Sequence, residues 1–430
     1  VIGGAGSDVL DASGGDVAVY DTPGGLEVEA RGRGFEDRRS EDPDVNRYDE
    51  TENVIGDVVT RPTLGFRDTD GVMIGASRTW LVPGFRLHPY AAVHTVSANY
   101  ATATSGVAAR YQGYMREAIG RSDLTVAVHG STPRYARNFY GIGNGSPELD
   151  DSDRARVDIA LAGARAGLVV PLGENLTLNL GPTVRYADAT VPEPQAFDPG
   201  NPDLPLVGPA ALLAAPSFDA QTHVGASARI EARAVDLEAN PRQGLGLSLF
   251  GELRAGITGP ADTYGRVGGE AVAYVPFRFA PQLTLALRGG GETTVGDFPF
   301  FDASVLGGPG TIRGYRRERF AGRTAASASA ELRAKVLDLD VYVLPLEVGI
   351  LGFADAGRVW AETPTCLDVY DSEVCALINF RAVDPDAGGG IQLGYGGGLW
   401  VGSLDRGVAT LTVGASDEAA LVTFGVGFAY

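Results

Sequence analysis

Two cysteines, two methionines, three tryptophans and four histidines in 430 residues leave this chain short of the side chains that most metal and redox sites need. The histidines, His88, His94, His129 and His223, fall on separate predicted strands or turns with no glutamate or cysteine at ligand spacing, so no metal centre is expected among them. No run of about 18 uncharged apolar residues occurs. The best candidate, Leu206 to Phe218, is short and broken by Pro209 and Pro216, which excludes a membrane-spanning helix. Nor does a period of three to four residues persist over a dozen positions, so long helices are not expected either. A basic stripe with interleaved aromatics is missing, and a net charge of −19 would repel phosphates, which excludes nucleic acid as a partner. No Gly-Lys-Ser/Thr follows a strand and no G-x-S-x-G elbow is present. The glycine runs Gly388 to Gly390 and Gly396 to Gly398 sit in a strand pattern, so the chain is not expected to be an enzyme. It opens on Val1 without a basic stretch and apolar core, so any secretory signal has been removed or lies upstream.

What the chain does have is glycine, 60 of them, and 44% hydrophobic residues. That profile suits one large β domain. From Asn175 to Tyr186, Leu176, Leu178, Leu180, Pro182, Val184 and Tyr186 share one face, and Asn175, Thr177, Asn179, Thr183 and Arg185 the other. This is the two-residue period of a strand. Val224, Ala226, Ala228, Ile230, Ala232 and Ala234 repeat it against Ser227, Arg229, Glu231 and Arg233. So do Leu245, Leu247, Leu249, Leu253, Ala255 and Ile257 against Ser248, Glu252 and Arg254. Charges of both signs occupy one face only, too many for the dry core of a sandwich, while strands of roughly 10 or more residues can cross a bilayer. Lipid outside and a wet lumen inside satisfy both faces.

About 16 strands can be counted, and an even number closes a barrel. They fall near 59–67, 71–82, 90–101, 105–118, 122–130, 153–170, 174–187, 220–236, 244–257, 263–276, 281–294, 321–336, 341–358, 387–401, 406–414 and 420–430. Short turns such as Pro171 to Gly173, Ala280 to Gln282 and Gly402 to Leu404 alternate with long loops near 131–152, 188–219, 295–320 and 359–386. Short periplasmic turns and long outer loops follow the bacterial rule. The last strand sets Val422, Phe424, Val426, Phe428 and Tyr430 on one face and ends on an aromatic residue. Cys366 and Cys375, nine residues apart in a polar stretch, fit a small disulfide outside the cytoplasm better than a metal pair.

Between the eleventh and twelfth strands runs Gly307-Gly308-Pro309-Gly310-Thr311-Ile312-Arg313-Gly314-Tyr315. In place and in letters it resembles the signature of the BamA/TamA-type barrels, also called bacterial surface antigen barrels. Asn240-Pro241-Arg242-Gln243-Gly244, between strands eight and nine, is similar to that family's asparagine-proline-x-x-glycine turn. The resemblance spans about 59–430 and implies an all-β fold, a 16-stranded antiparallel transmembrane β-barrel with a lumen-inserted loop between strands 11 and 12. It also implies that Arg313 meets carboxylates on strands twelve and thirteen. Alternation places Glu331, opposite Leu332, and Asp355, opposite Ala354 and Ile350, on the lumen face. A guanidinium fork can hold two carboxylates at once where an ammonium cannot. Both a bridge that only stiffens the barrel and one that gates it or handles substrate fit this arrangement.

Residues 1–58 read as a glycine-rich and acidic extension or linker before the barrel at 59–430. Gly3-Gly4-Ala5-Gly6-Ser7-Asp8-Val9-Leu10-Asp11 matches the nonapeptide of calcium-binding β-rolls, with Asp8 as a candidate Ca²⁺ ligand. One copy cannot build a two-sided site, and no other cofactor is expected. Members of the resembled family that assemble barrels carry periplasmic POTRA modules, polypeptide-transport-associated domains, which the 58 residues before the barrel, with their composition, are not expected to supply. The expected function is therefore polypeptide transport or insertion at the bacterial outer membrane, or else anchoring of an upstream passenger, or a simple diffusion pore. The expected partners are outer-membrane lipids and lipopolysaccharide, with a polypeptide substrate or a fused passenger.

Overall fold

The computed structural model describes residues 8–13, 16–21, 24–31, 33–40, 57–67, 70–84, 87, 90–135, 137–146, 155–190, 220–259, 263–277, 283–341, 344–361, 390–403 and 407–428. Cys366 and Cys375 lie outside them, as do Gly3 to Ser7. Asp8 begins a strand, but its side chain also lies outside the described residues. Two compact units divide the chain, one of residues 1–58 and 80–93, the other of 59–79 and 94–430.

In the first unit Asp8–Ala12 pairs in parallel with Leu26–Arg31, and Asp16–Val19 with Gly34–Asp37. Partners such as Asp8 and Leu26, or Asp16 and Gly34, are 18 residues apart, so the chain coils once and lays the third strand beside the first and the fourth beside the second. Ala12, Val19 and Leu26 are buried. A strand at Gly34–Asp37 lies within the stretch read as an extension or linker, its backbone groups satisfied by parallel pairing.

The barrel strands are β1 (Val58–Arg67), β2 (Gly71–Val82), β3 (Ala92–Ala101), β4 (Gly106–Ile119), β5 (Ser122–Ser131), β6 (Arg156–Gly173), β7 (Leu176–Thr190), β8 (Gln221–Val235), β9 (Gly244–Thr258), β10 (Tyr264–Phe277), β11 (Leu283–Gly296), β12 (Thr324–Val341), β13 (Leu344–Trp360), β14 (Gln392–Ser403), β15 (Gly407–Ala415) and β16 (Ala420–Val426). Each is hydrogen-bonded to the next, and β16 lies beside β1, so the expected 16-stranded antiparallel ring is present. A two-residue strand at Arg137–Asn138 adds to the outer end of β6. Closing the ring leaves no bare edge in lipid, where an unpaired backbone group costs several kcal/mol. No described helix is long and apolar enough to cross a membrane.

The period-two faces fall as the alternation requires. Leu245, Leu247, Leu249, Leu253 and Ile257 of β9 stand exposed on the outside, and Leu332 and Ile350 share that surface, whereas Glu331, Arg333 and Asp355 are buried inward. Alternation slips once on β12, where Lys335 opposes Gly349 but Leu337 opposes Val348, leaving Val336 and Leu337 both exposed. The β6–β7 turn falls at Glu174 and Asn175 rather than at 171–173, because β6 runs on through a bulge to Gly173. At the chain's end Val422 and Phe424 face outward, but the strand stops at Val426. Gly427 takes φ +89°, and Phe428 turns away to pack on buried Trp400, with ring centroids 5.7 Å apart.

Candidate functional site: the lumen loop and its carboxylates

The loop from 297 to 323 is built as a small structure of its own. A 3₁₀ turn at Phe300–Asp302 leads into a hairpin of Ser304–Leu306 against Phe320–Gly322. Leu306, Ile312, Tyr315 and Phe320 are buried together with Ala325 and Val359 of the wall. Two glycines permit the tip's path. Gly307 takes φ +112° with its α-carbon facing Arg316, where an added Cβ would stand 2.3 Å from the carbonyl oxygen. Gly314 takes φ +97° against Ala415 of β15.

Arg313 leaves this tip and enters a carboxylate pair. Its backbone N–H and Nε both donate to Asp355 Oδ2, at 3.0 and 2.8 Å, and Nη2 donates to Oδ1 at 2.8 Å. The other side of the fork, Nη1, donates to Glu331 Oε2. Ser329 Oγ accepts from Nη2 at 3.1 Å and donates to Asp355. The guanidinium lies 3.5 Å from the centre of the Phe353 ring. Arg333 completes the cluster, donating from Nε to Glu331 Oε1 at 2.8 Å while its guanidinium lies over Phe428. Arg313, Glu331, Arg333 and Asp355 are each 5% exposed or less, and their charges cancel. Burial on this scale is tolerable only because every carboxylate oxygen has a donor and the planar fork serves two acceptors.

Further contacts of the loop were not visible in the sequence. Gly394 of β14 and Gly414 of β15 form a bare niche for the tip: a Cβ on Gly394 would stand 1.9 Å from the Arg313 carbonyl oxygen, and one on Gly414 2.7 Å from the Gly314 nitrogen. Tyr315 donates to Asp417 at 2.5 Å and Arg319 to Glu418 at 2.8 Å, both on the turn between β15 and β16. Ser416 of that turn donates to the Gly314 carbonyl at 2.9 Å. On the far wall Asp302 is buried and accepts from Arg185 of β7, from Arg254 of β9 at 2.7 Å, and from the Tyr264 hydroxyl of β10. Arg137 donates to Glu318 at 3.0 Å. The loop thus reaches across the lumen. A polar cavity of about 670 Å³ remains, lined among others by Asn99, Arg110, Gln112, His129 and Arg317. Another of about 740 Å³ lies between the tip and the β1–β16 seam, bounded by Phe66, Met73, Arg316 and Leu421. Only the glycine-rich letters could have hinted at the niche, since the other contacts join residues from 38 to 181 positions apart, on strands and turns that are not neighbours in sequence.

The sequence profile of the Omp85 superfamily domain matches residues 98–412, which covers the loop and both of its carboxylate strands. The chain belongs to the Omp85 superfamily. As an Omp85 barrel it is an integral outer-membrane protein. Its fold is similar to that of BamA from Haemophilus ducreyi lacking POTRA domains 1–3, with a TM-score of 0.57 and 14% identity over 86% of this chain and 69% of that one. It is also similar to CdiB from Escherichia coli, with a TM-score of 0.56 and 12% identity over 92% of this chain and 65% of that one. Among curated proteins, TOC75-3 of the Arabidopsis thaliana chloroplast is 44% identical over 64 residues, 15% of this chain and 8% of that protein. The Omp85 barrel described here therefore spans only a small part of that relative.

Proposed function

We propose that this barrel moves or inserts polypeptide at the outer membrane, with the lumen loop as its plug and the β1–β16 seam as its lateral opening. The observation that carries this reading is the loop's attachment. It is fastened by Arg313 to β12 and β13, and by Tyr315 and Arg319 to the turn that leads into β16. A plug fixed beside a seam can report on that seam. β16 has seven residues, the fewest of any barrel strand, so few backbone bonds can hold it to β1. The cavity between tip and seam supplies room for an extended segment. The substrate class is an unfolded or extended polypeptide, the surroundings are outer-membrane lipid and lipopolysaccharide, and the reading assigns the chain no catalytic step and no cofactor.

Cysteines locking β1 to β16 test it. Transport or insertion should stop in the locked barrel and return on reduction, with heat-modifiable migration unchanged. Full activity while locked would overturn the proposal. The parallel coil of the first unit favours a second reading, in which the barrel anchors that coil and whatever it belongs to. Anchoring survives the lock.

A further inference from the structure

At the barrel end opposite the lumen loop, a second charged contact crosses the lumen. The β8–β9 turn, residues 236–243, is shaped by Asp236, whose carboxylate accepts backbone N–H bonds from Leu237 and Arg242 at 2.9 Å and Gln243 at 3.1 Å. Burial opposes its charge, but these donors hold the carboxyl below its ordinary range. So shaped, the turn presents Asn240 and Arg242 to Glu347 of β13. Arg242 Nη2 donates to both Glu347 oxygens at 2.6 Å, and Asn240 Nδ2 donates at 3.3 Å. Lys335 of β12, the only lysine in the chain, stands 3.5 Å away. Glu347 is 7% exposed.

The path of this contact sets it apart from the other ion pairs of the wall. Arg288 with Glu270, and Arg266 with Glu292, join neighbouring strands β11 and β10 and stiffen the sheet locally. Arg242 and Glu347 are separated around the ring by β10, β11 and β12. A turn that reaches a strand so far around the ring must fold inward over the mouth of the lumen. Glu347 also shares its face of β13 with Asp355, eight residues on, which at the strand rise puts the two carboxylates about 26 Å apart along the strand. One strand therefore holds the outer loop by one carboxylate and the inner turn by another.

We propose that Arg242 and Glu347 form a latch that closes the periplasmic mouth of the lumen, in series with the Arg313 closure at the outer end. The latch concerns the lumen itself and holds whichever cargo the barrel serves. Two closures in series mean that releasing either one leaves the path shut at the other.

Single-channel recording in planar bilayers on the full chain tests this without any cargo, so the latch can fail while the transport reading stands, and the reverse. Arg313→Ala alone and Arg242→Ala alone should each give brief, small openings. The double variant should hold a steady current with total open time raised at least about tenfold over either single, the change expected when a charged hydrogen bond of ordinary strength is lost from an equilibrium. Arg242→Lys, which keeps the charge, should stay closer to the parent than Arg242→Ala does. Glu347→Gln, which keeps its shape and can still accept from Asn240, replaces Arg242→Ala in the double variant should the latter fail to fold, as judged by heat-modifiable migration. The latch is overturned if the double variant conducts no more than Arg313→Ala, or if lysine at 242 is as open as alanine.

Discussion

Arg313 makes five hydrogen bonds, three of them to Asp355, one to Glu331 and one to Ser329, together with the contact over Phe353, and replacing it by alanine removes those of the side chain. The backbone N–H bond to Asp355 survives only if the tip stays in place, so the side chain accounts for the other four. Glu331 keeps Arg333 and Asp355 keeps Ser329, but Asp355 then has no cation. Breaking a buried pair in this way costs about 3–5 kcal/mol, and lumen water brings the figure toward the lower end. At about 1.4 kcal/mol per factor of ten, 3 kcal/mol changes the docked population of the loop by roughly a hundredfold. The assay is thiol labelling of an Ile312→Cys reporter, since Ile312 is wholly buried beneath the tip. Labelling should accelerate by about two orders of magnitude in Arg313→Ala. Arg313→Lys should fall between, because an ammonium can satisfy one carboxylate but not both. Equal labelling rates in all three backgrounds would show that the cluster does not hold the loop.

Gly394→Ala keeps every charge but puts a methyl 1.9 Å from the Arg313 carbonyl, so it should loosen the same reporter by about 1–3 kcal/mol, whereas Gly352→Ala, with nothing nearer than 3.9 Å, should not. Tight labelling in Gly394→Ala would mean that the tip does not sit in the niche. Leu249→Arg on the outer face of β9 should cost about 2–4 kcal/mol in urea unfolding from lipid, and Ser248→Arg on the lumen face close to nothing; equal costs would contradict the assignment of faces. With the seam locked by cysteines, Ile312→Cys labelling should slow, and the slowing should vanish when Asp417→Ala and Glu418→Ala remove the acceptors of Tyr315 and Arg319. An unchanged effect of the lock would separate plug from seam.

Strand number, order and faces were legible because each follows from local alternation: a strand with lipid on one side and water on the other must repeat with period two, and β7, β8 and β9 do so without interruption. Arg313, Glu331 and Asp355 were legible for the same reason, once a family signature paired them. Phe428 was misplaced because alternation was carried past Gly427, whose positive φ ends the strand and turns the ring toward Trp400. Glu347 with Arg242, Asp302 with Arg254, and Tyr315 with Asp417 stayed hidden because their partners meet only when the ring closes. Nothing in the neighbours of Asp302 distinguishes it from any acidic loop residue. Its burial comes from three strands that arrive from elsewhere in the chain.

The lumen contacts also share a chemistry. Most of the charged ones put arginine on a carboxylate, and the chain has only one lysine. An apolar plug would bury its surface once and be hard to release, since opening would expose that surface to lumen water. A plug held by guanidinium forks loses strong bonds when it moves, yet each freed group can be rehydrated, so the open state is reachable at moderate cost. The planar fork adds direction: Arg313 satisfies Asp355 and Glu331 together in one orientation of the tip, and Arg242 satisfies both oxygens of Glu347 in one orientation of the turn. The loop also packs Leu306, Ile312, Tyr315 and Phe320 against Ala325 and Val359 of the wall, so the forks fix its orientation in addition to that packing. That direction is the physical reason for proposing the arginines of the lumen as closures rather than as stiffening alone.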